Sequence, residues 1–237
     1  MSLQPYHVSA YNTAKASENK IHDDATARRF GFSGGLVGGV HVYAYMTHLP
    51  VAHWGRAWLE RGTGDCRFSK PVYEGEIAEI TAEESADGLT MFVHSRGELC
   101  ATGSAMLPLS VSPPVVDEFQ SATPPAHDAR PAADESSLAV GRWLSSNPLH
   151  VTADYHTQDL TDTRETDPLY ANEGIVHLGT VLRCCNWVLS HNVVLPAWMH
   201  VGSDSTSPKR STTVGARARS LSWRRSPPIS PAGTRAW

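Results

Sequence analysis

The chain has 237 residues, of which 41% are hydrophobic and 19% are charged, and its formal net charge is −4. This length fits one large or two small domains, and this apolar content supports a packed core, so global disorder is excluded. No apolar run approaches the roughly 18 residues that a membrane span needs. The first residues, MSLQPYHVSAY, lack the basic start and apolar core of a secretory signal, so we expect a cytoplasmic protein without a membrane partner.

Cysteine and histidine give no sign of a metal site. The four cysteines, Cys66, Cys100, Cys184 and Cys185, form no CxxC pair, and buried free thiols are the simpler interpretation. The twelve histidines include no HExxH or comparable ligand spacing. We therefore predict no metal, no disulfide and no cofactor.

The N-terminal part of the chain predicts a strand followed by helices. Residues 6–11 alternate weakly, which favours a strand. The aspartates at 23–24 can cap a short helix that ends at Gly31. From Leu36 the apolar residues follow helical spacing and cover most faces, so this helix is predicted to be buried. Pro50 separates it from a second helical segment, HWGRAWLERG.

After Gly64 the pattern changes to strands. Four segments favour β structure, namely DCRFSKPVY, EIAEITAEE, LTMFVHSRGELC and ATGSAMLPL. Turns are predicted at 74–75 and 86–88. A sheet that curls around one buried helix is the simplest way to cover that helix. The sequence therefore predicts an α+β fold of the hotdog type, an antiparallel sheet wrapped around a long buried helix, for residues 1–110.

The second half of the chain repeats part of this plan. Residues 111–137 form a Pro/Ala/Ser-rich segment that is typical of a linker. In residues 138–204, GRWLSSNPLHVTAD favours an opening strand and turn, EGIVHLGTVLRCCNWVLSHN a glycine-preceded apolar helix over 175–191, and VVLPAWMHVGSD the next strand. This weak duplication predicts a tandem double hotdog with an incomplete second unit, a pseudo-dimer within one chain.

The plan stops at residue 204. Residues 205–237 hold seven Lys or Arg and no acidic residue, so this segment is +7 while residues 1–204 are −11. Three interpretations stay open: a basic arm for nucleic acid or anionic lipid, a disordered tail, or a shift of reading frame near codon 204, which fits best. A second unit without its last strands leaves an open sheet edge, which predicts poor solubility or a homodimer through that edge.

The residues that point to chemistry lie in one stretch, SENKIHDDATARRFGFSGGLVGGVHVYAYM, at 17–46. His22 sits in a polar loop and can act as a base near neutral pH. Ser17, Glu18 and Asn19 lie close to it in sequence. The glycine-rich turn that follows can leave backbone N–H groups free at a helix start, where the helix dipole favours a developing oxyanion.

This stretch resembles the MaoC-like, or (R)-specific enoyl-CoA hydratase, branch of the hotdog superfamily. The motif of that family is D-x-N-P-x-H, followed after a few helical residues by a hydrophobic pair and H-G-M at the start of the central helix. The chain has SENKIH at 17–22 and LVGGV at 36–40, and RFSKPVYEGE at 67–76 resembles the F-x-x-P-V-x-x-G-D of the family. The resemblance covers about residues 5–110.

The resemblance implies roles for individual residues. In the family, the Asp and His bind and polarise water and return a proton to the α-carbon, while a glycine N–H polarises the thioester carbonyl. His22 and Asn19 keep the histidine and asparagine of the motif, and Gly39 keeps the glycine, with Gly38 and Val40 beside it. Ser17 stands at the Asp position, and a hydroxyl cannot act as a carboxylate base.

Neighbouring residues complete the set of candidates. Glu18, one residue out of register with the motif, is the candidate replacement for the carboxylate. In the second half, His177 and Gly179 precede the helix and are candidates for a composite site or for packing. The other histidines, His41, His48, His53 and His200, are predicted to be structural, and Trp187 to pack in the core.

Three functions are compatible with these residues. The first is a lyase that hydrates a trans-2-enoyl thioester or dehydrates a 3-hydroxyacyl thioester. The second is an acyl-CoA thioesterase that uses Glu18 or Asp23. The third is a protein that binds an acyl thioester without turning it over. In each case the predicted partner is an acyl-CoA or an acyl carrier protein thioester, taken as substrate rather than cofactor, and no nucleic acid is expected.

Overall fold

The computed structural model describes residues 3–110, 122–195 and 197–206. Their elements follow in the order β1 (Tyr6–Ser9), α1 (Asp24–Arg29), α2 (Gly39–Trp54), α3 (Arg56–Arg61), β2 (Thr63–Phe68), β3 (Ile77–Ser85), β4 (Gly88–Ser95), β5 (Glu98–Met106), α4 (Ala153–Thr163), α5 (Pro168–Glu173), α6 (Leu178–Ser190) and β6 (Gly202–Thr206).

The six strands form one antiparallel sheet in the order β1-β3-β4-β5-β2-β6. Along β4, buried and partly exposed residues alternate, as expected for a sheet with one face on the core. The buried face packs against α2, which carries Tyr43 and Met46 with no exposed surface. A curled antiparallel sheet around one buried helix is the hotdog arrangement, so the predicted α+β hotdog fold is confirmed.

Helix α2 runs through Pro50 and ends at Gly55, so the break predicted at Pro50 is wrong. Pro50 lacks the N–H that would bond within the helix, yet it is buried and the surrounding packing holds it in place. Gly55 has φ +59° and ψ −147°, a conformation in which a side chain is strongly disfavoured. The chain therefore turns at the glycine, and α3 follows at once.

The boundary between the last two strands of the meander is also corrected. LTMFVHSRGELC is two strands rather than one, because Arg96 and Gly97 form a two-residue turn between β4 and β5 with φ +53° and +72°. Two successive positive φ values suit the right-handed twist of a hairpin. Cys100, predicted at a strand end, lies inside β5.

The second half contributes helices and one strand. The helix predicted over 175–191 is confirmed as α6, but the strand predicted in GRWLSSNPLHVTAD is wrong. That segment is irregular and leads into α4, whose start is capped by the Thr152 hydroxyl accepting from the Tyr155 N–H at 3.2 Å. Only the end of VVLPAWMHVGSD is a strand, β6, which pairs with β2 and continues the sheet of the first unit.

The two units meet along their helices. Gly179 on α6 lies so close to α2 that an added Cβ would be 2.8 Å from the Ala44 Cβ. Within the described ranges, β6 is the outer strand on its side of the sheet. Residues 111–121 of the predicted linker and all but Ser205 and Thr206 of the predicted basic tail lie outside the described residues.

Candidate functional site

A cavity of about 930 Å³ lies between the start of α2 and one face of α6. The first unit lines it with the polar loop before α1, the glycine turn, the last residue of β2 and the segment that follows this strand. The second unit lines it with α6 and with residues 198–201, named here the strap. The candidate residues His22, Asn19, Ser17, Glu18, Gly38, Gly39 and Val40 all border this cavity.

His22 is held in one orientation and one tautomer. It ends a 3-10 turn formed by Lys20–His22, and Asp23 then caps α1 by accepting from the Thr26 N–H at 2.9 Å. The Nδ1 of His22 lies 2.6 Å from the Leu36 carbonyl oxygen. Since a carbonyl only accepts, Nδ1 carries the proton and Nε2 carries the lone pair. Burial lowers the pKa of His22 below its usual value, so the ring is neutral at pH 7 and basic at Nε2.

Asn19 connects this histidine to the strap. Its Oδ1 accepts from the Trp198 N–H at 3.0 Å, and its Nδ2 donates to the Trp198 carbonyl at 2.9 Å. The second N–H of the same amide faces the Nε2 of His22, with 3.3 Å between the two nitrogens. The two bonds to one backbone residue fix which end of the amide is oxygen, so Asn19 is a donor toward His22.

Ser17 and Glu18 face other partners. The Ser17 hydroxyl donates to the Asn19 carbonyl at 3.3 Å. The Glu18 carboxylate accepts from Arg130 at 2.8 Å and from His127 at 2.6 Å. Hydrogen bonds from Arg130 and His127 lower the pKa of Glu18 to about 2. Glu18 therefore binds the segment between the two units at the cavity wall, and no hydrogen bond joins it to His22 among the described residues.

Glycines bring the start of α2 against His22. Gly38 precedes the helix, and an added Cβ there would lie 3.8 Å from the Cε1 of His22 and 3.5 Å from the Nδ1 of His41. The first N–H groups of a helix lack intrahelical acceptors, and the dipole makes this end attractive to negative charge. At Gly39 an added Cβ would lie 3.0 Å from both Phe68 and His200, so these two rings cover the helix start.

His41 and His200, both predicted to be structural, lie in the cavity wall. Burial lowers the pKa of each to about 4, so both are neutral at pH 7. His41 bonds through Nε2 to the Thr13 hydroxyl at 3.2 Å, and its Nδ1 has no hydrogen-bond partner within the described ranges. His200 bonds through Nε2 to Ser203 at 2.9 Å. Sequence reasoning missed both because neither stands in a motif.

The cavity wall on α6 is polar. Its members share one face of the helix at spacings of three and four residues: Arg183, Asn186, Trp187, Ser190 and His191. Arg183 donates to Asp159 and, at 2.6 Å, to the Tyr155 hydroxyl. Trp187 stacks on His191 with ring centroids 5.8 Å apart and borders the cavity. The helical spacing of these residues was visible in the sequence, but it did not indicate that they face a cavity.

His177 and Gly179 do not border this cavity. His177 is 1% exposed; its Nδ1 accepts from the Gly179 N–H at 3.1 Å, and its Nε2 donates to Glu165 at 3.2 Å. His48 of α2 donates to the other oxygen of Glu165 at 2.7 Å. The structure thus places both second-unit candidates in a buried helix cap and a hydrogen-bonded cluster around Glu165, between the units.

In the described ranges, no group of three or more His, Cys, Asp or Glu side chains has a metal-binding arrangement. No helix described there is both long and apolar enough to cross a bilayer.

Comparisons with known proteins concern the fold. No family model matches the chain, and no curated protein matches it. An (R)-hydratase from A. caviae is 19% identical with a TM-score of 0.34, and the match covers 46% of this chain and 97% of that one. A MaoC domain dehydratase from Chloroflexus aurantiacus is 12% identical with a TM-score of 0.44, covering 86% and 77% of the two chains. Rv0216 from Mycobacterium tuberculosis, a double hotdog protein, is 16% identical with a TM-score of 0.39, covering 88% and 81%.

Proposed function

We propose that this protein is an acyl-thioester enzyme that hydrates a trans-2-enoyl thioester, or dehydrates the matching 3-hydroxyacyl thioester. The observation that carries the proposal is the state of His22. Its proton is fixed on Nδ1 by the Leu36 carbonyl, so the lone pair is on Nε2, 3.3 Å from the Asn19 amide nitrogen, and the ring borders a cavity beside the start of α2. A neutral base next to helix N–H groups is suited to activate water while a thioester oxygen gains negative charge.

The chain's own residues account for both halves of this reaction. Nε2 of His22 exchanges its 3.3 Å contact with the Asn19 N–H for a water molecule. It takes a proton from that water as the water oxygen bonds to the β-carbon and the C=C electrons move toward the thioester oxygen. The first N–H groups of α2, at Gly39 and Val40, stabilise that oxygen as an enolate. The imidazolium of His22 then gives the proton to the α-carbon, which restores the neutral base.

The proposal assigns the whole proton transfer to His22. Ser17 replaces the carboxylate of the resembled motif, and its hydroxyl donates to the Asn19 carbonyl rather than to His22. Glu18 is paired with Arg130 and His127, and Asp23 caps α1. One base that serves both as acceptor and donor is chemically sufficient, because hydration returns the proton that it removes.

A thioesterase is the second candidate, favoured by the same contacts of Ser17 and Glu18. Hydrolysis of an acyl thioester needs one base for water and donors for the oxyanion, and it needs no carboxylate partner. The substrate in either case is a thioester of coenzyme A or of an acyl carrier protein, and neither reaction requires a cofactor. A protein that only binds the thioester is the remaining outcome.

The test offers the purified full chain two substrates in parallel, a short trans-2-enoyl-CoA and a saturated acyl-CoA of the same length. Loss of the conjugated double bond without release of free CoA supports the hydratase. Free CoA from both substrates overturns it in favour of the thioesterase. Binding without either change, measured by calorimetry, overturns both enzymatic functions.

Within the described residues β6 is an outer strand of the sheet, which supports a further part of the proposal, association of two chains. Unpaired backbone groups on an outer strand recruit another strand. Size exclusion with light scattering tests this, and a sharp, stable monomer contradicts it.

A further inference from the structure

The strap of the second unit crosses the candidate site of the first unit. Asn19 binds the Trp198 backbone through both ends of its amide. Met199 packs against the small core that contains Ile21, Leu36 and Tyr73. The Phe68 N–H donates to the Val201 carbonyl at 3.1 Å. The strap is therefore fastened to the first unit by both polar and apolar contacts.

These contacts converge on the parts that the proposed function uses. The third polar contact of Asn19 is the Nε2 of His22, the atom proposed as base. His200 of the strap lies over Gly39, where an added Cβ would be 3.0 Å from the His200 Cβ, and its ring meets Phe68 edge to face at 5.4 Å. The strap thus contacts the start of α2 directly, and it is linked to the proposed base, His22, through Asn19.

We propose that Asn19 is a positioning residue that couples the strap to His22, so that the second unit completes the site on the first unit. The geometry of the amide supports this. Both of its N–H groups and its oxygen have partners, all within 3.3 Å. Displacing the strap would free Asn19 to rotate, and His22 would lose its neighbour at Nε2. The position of the second unit therefore sets the environment of the base.

The inference deepens the proposed function, because it concerns how the same site is assembled, but its readouts require no turnover. Asn19→Ala removes the three side-chain bonds of Asn19. Asn12→Ala is the matched control, because Asn12 is also a buried asparagine and bonds to the backbone carbonyl of His22 at 2.9 Å. Within the described residues, the Asn12 side chain bonds to the His22 carbonyl and the Ala14 N–H, and not to the strap or to the imidazole ring. NMR on the full chain measures two quantities in each variant.

The first quantity is the exchange rate of the Trp198 amide hydrogen with solvent. Asn19→Ala removes its acceptor, so the rate rises about tenfold if the bond contributes roughly 1.4 kcal/mol. The second quantity is the titration of His22. An N–H donor at Nε2 favours the neutral ring, so its removal raises the pKa of His22.

Asn19→Asp is the second variant. It keeps an acceptor for the Trp198 N–H and loses the donors, so Trp198 stays more protected than in Asn19→Ala. Its carboxylate beside His22 raises the pKa of that ring further than Asn19→Ala does. Asn12→Ala leaves both quantities at their wild-type values.

Equal changes in Asn12→Ala and Asn19→Ala, or no change in Asn19→Ala, overturn the inference. If these NMR predictions hold while neither thioester substrate is turned over, the coupling stands and the proposed function fails. If turnover is found while the NMR quantities do not move, the function stands and the coupling fails.

Discussion

Helices α2 and α6 come from the two halves of the chain and pack closely against each other, but their first turns differ. Helix α2 begins after Gly38, and the neighbouring imidazole, His22, comes from a separate loop and borders the cavity. Helix α6 begins after His177, which caps the helix itself and donates its other ring nitrogen to the buried Glu165. The polar groups at the second helix start have their partners inside the fold.

This difference suggests separate roles for the two helix starts. At the start of α2, which has glycine at its N-cap, the first N–H groups and the basic His22 lie beside a cavity. At the start of α6, the N-cap His177 itself accepts a hydrogen bond from the N–H of Gly179. The second unit then contributes in another way, through the polar face of α6 and through the strap. We therefore assign chemistry to the first helix start and stability to the second, and each assignment can be tested separately.

Removing Glu165 should have the largest effect on stability. Its carboxylate is 2% exposed and accepts from His48 and His177. Glu165→Ala leaves both rings without an acceptor, and losing two hydrogen bonds to a buried carboxylate, at about 1.5–3 kcal/mol each, lowers the free energy of unfolding by about 3–6 kcal/mol. Urea unfolding measures the loss. Glu98→Ala, which breaks an exposed pair with Lys70, should leave stability unchanged, and similar losses in both variants would contradict the account.

Lowering the pH should have the second largest effect on the stability of the protein, through the two buried histidines of the cavity wall. His41 and His200 have folded-state pKa values of about 4, below about 6.5 in an unfolded chain. The unfolded state therefore takes up protons first, and stability is lost as pH falls from about 6.5 toward 4. At pH 5 the loss is roughly 2 kcal/mol for each ring.

The pKa of Glu165 is lowered from its usual value of 4.5 by hydrogen bonds from its histidine partners, despite burial. The stabilisation that its carboxylate provides is therefore lost only as the pH falls below about 4.5. The pKa of His41 also depends on the charges of its neighbours: Arg183, His177 and His22 lower it, and Asp159 raises it. Urea unfolding at pH 7 and pH 5 separates these effects, and His200→Gln should flatten the dependence. A free energy of unfolding that stays constant between these values would contradict the account.

Substitutions of two glycines test the difference between the two helix starts, with smaller expected effects on stability. Gly179→Ala places a Cβ 2.8 Å from the Ala44 Cβ, so α6 and α2 must move apart, and the loss is about 1–3 kcal/mol. Gly39→Ala presses on Phe68 and His200 at 3.0 Å, and these rings can yield. We expect Gly39→Ala to lower kcat/KM more than Gly179→Ala does, and Gly179→Ala to lower the free energy of unfolding more than Gly39→Ala does. Thermal unfolding and the enoyl-CoA assay measure both, and the opposite order would contradict the division of tasks.

Local patterns predicted the parts of this structure that depend on neighbouring residues. The apolar spacing after Leu36 gave α2, the aspartates before residue 25 gave the cap of α1, and the glycines at 38–39 gave the helix start beside His22. The turn at 96–97 was missed because arginine seldom adopts a positive φ. The helix break predicted at Pro50 is absent because tertiary packing overrides the local effect of proline.

Contacts between distant residues could not be predicted. Asn19 and Trp198 are 179 positions apart, and no local pattern links them. His41 and His200 gain their place in the cavity only when the two units pack together. Likewise, His177 and Gly179 resemble the first helix start in sequence, but the buried carboxylate of Glu165, twelve residues before His177, determines their environment.

The most direct test of the central claim compares hydration of a short trans-2-enoyl-CoA by the wild type, His22→Gln and His53→Gln. His53 is exposed near the far end of α2, so its variant controls for loss of a histidine from the same unit. The account predicts that His22→Gln loses about a hundredfold or more in kcat while remaining folded, and that His53→Gln keeps the wild-type rate. Hydration that survives in His22→Gln would contradict the assignment of the chemistry to the first helix start.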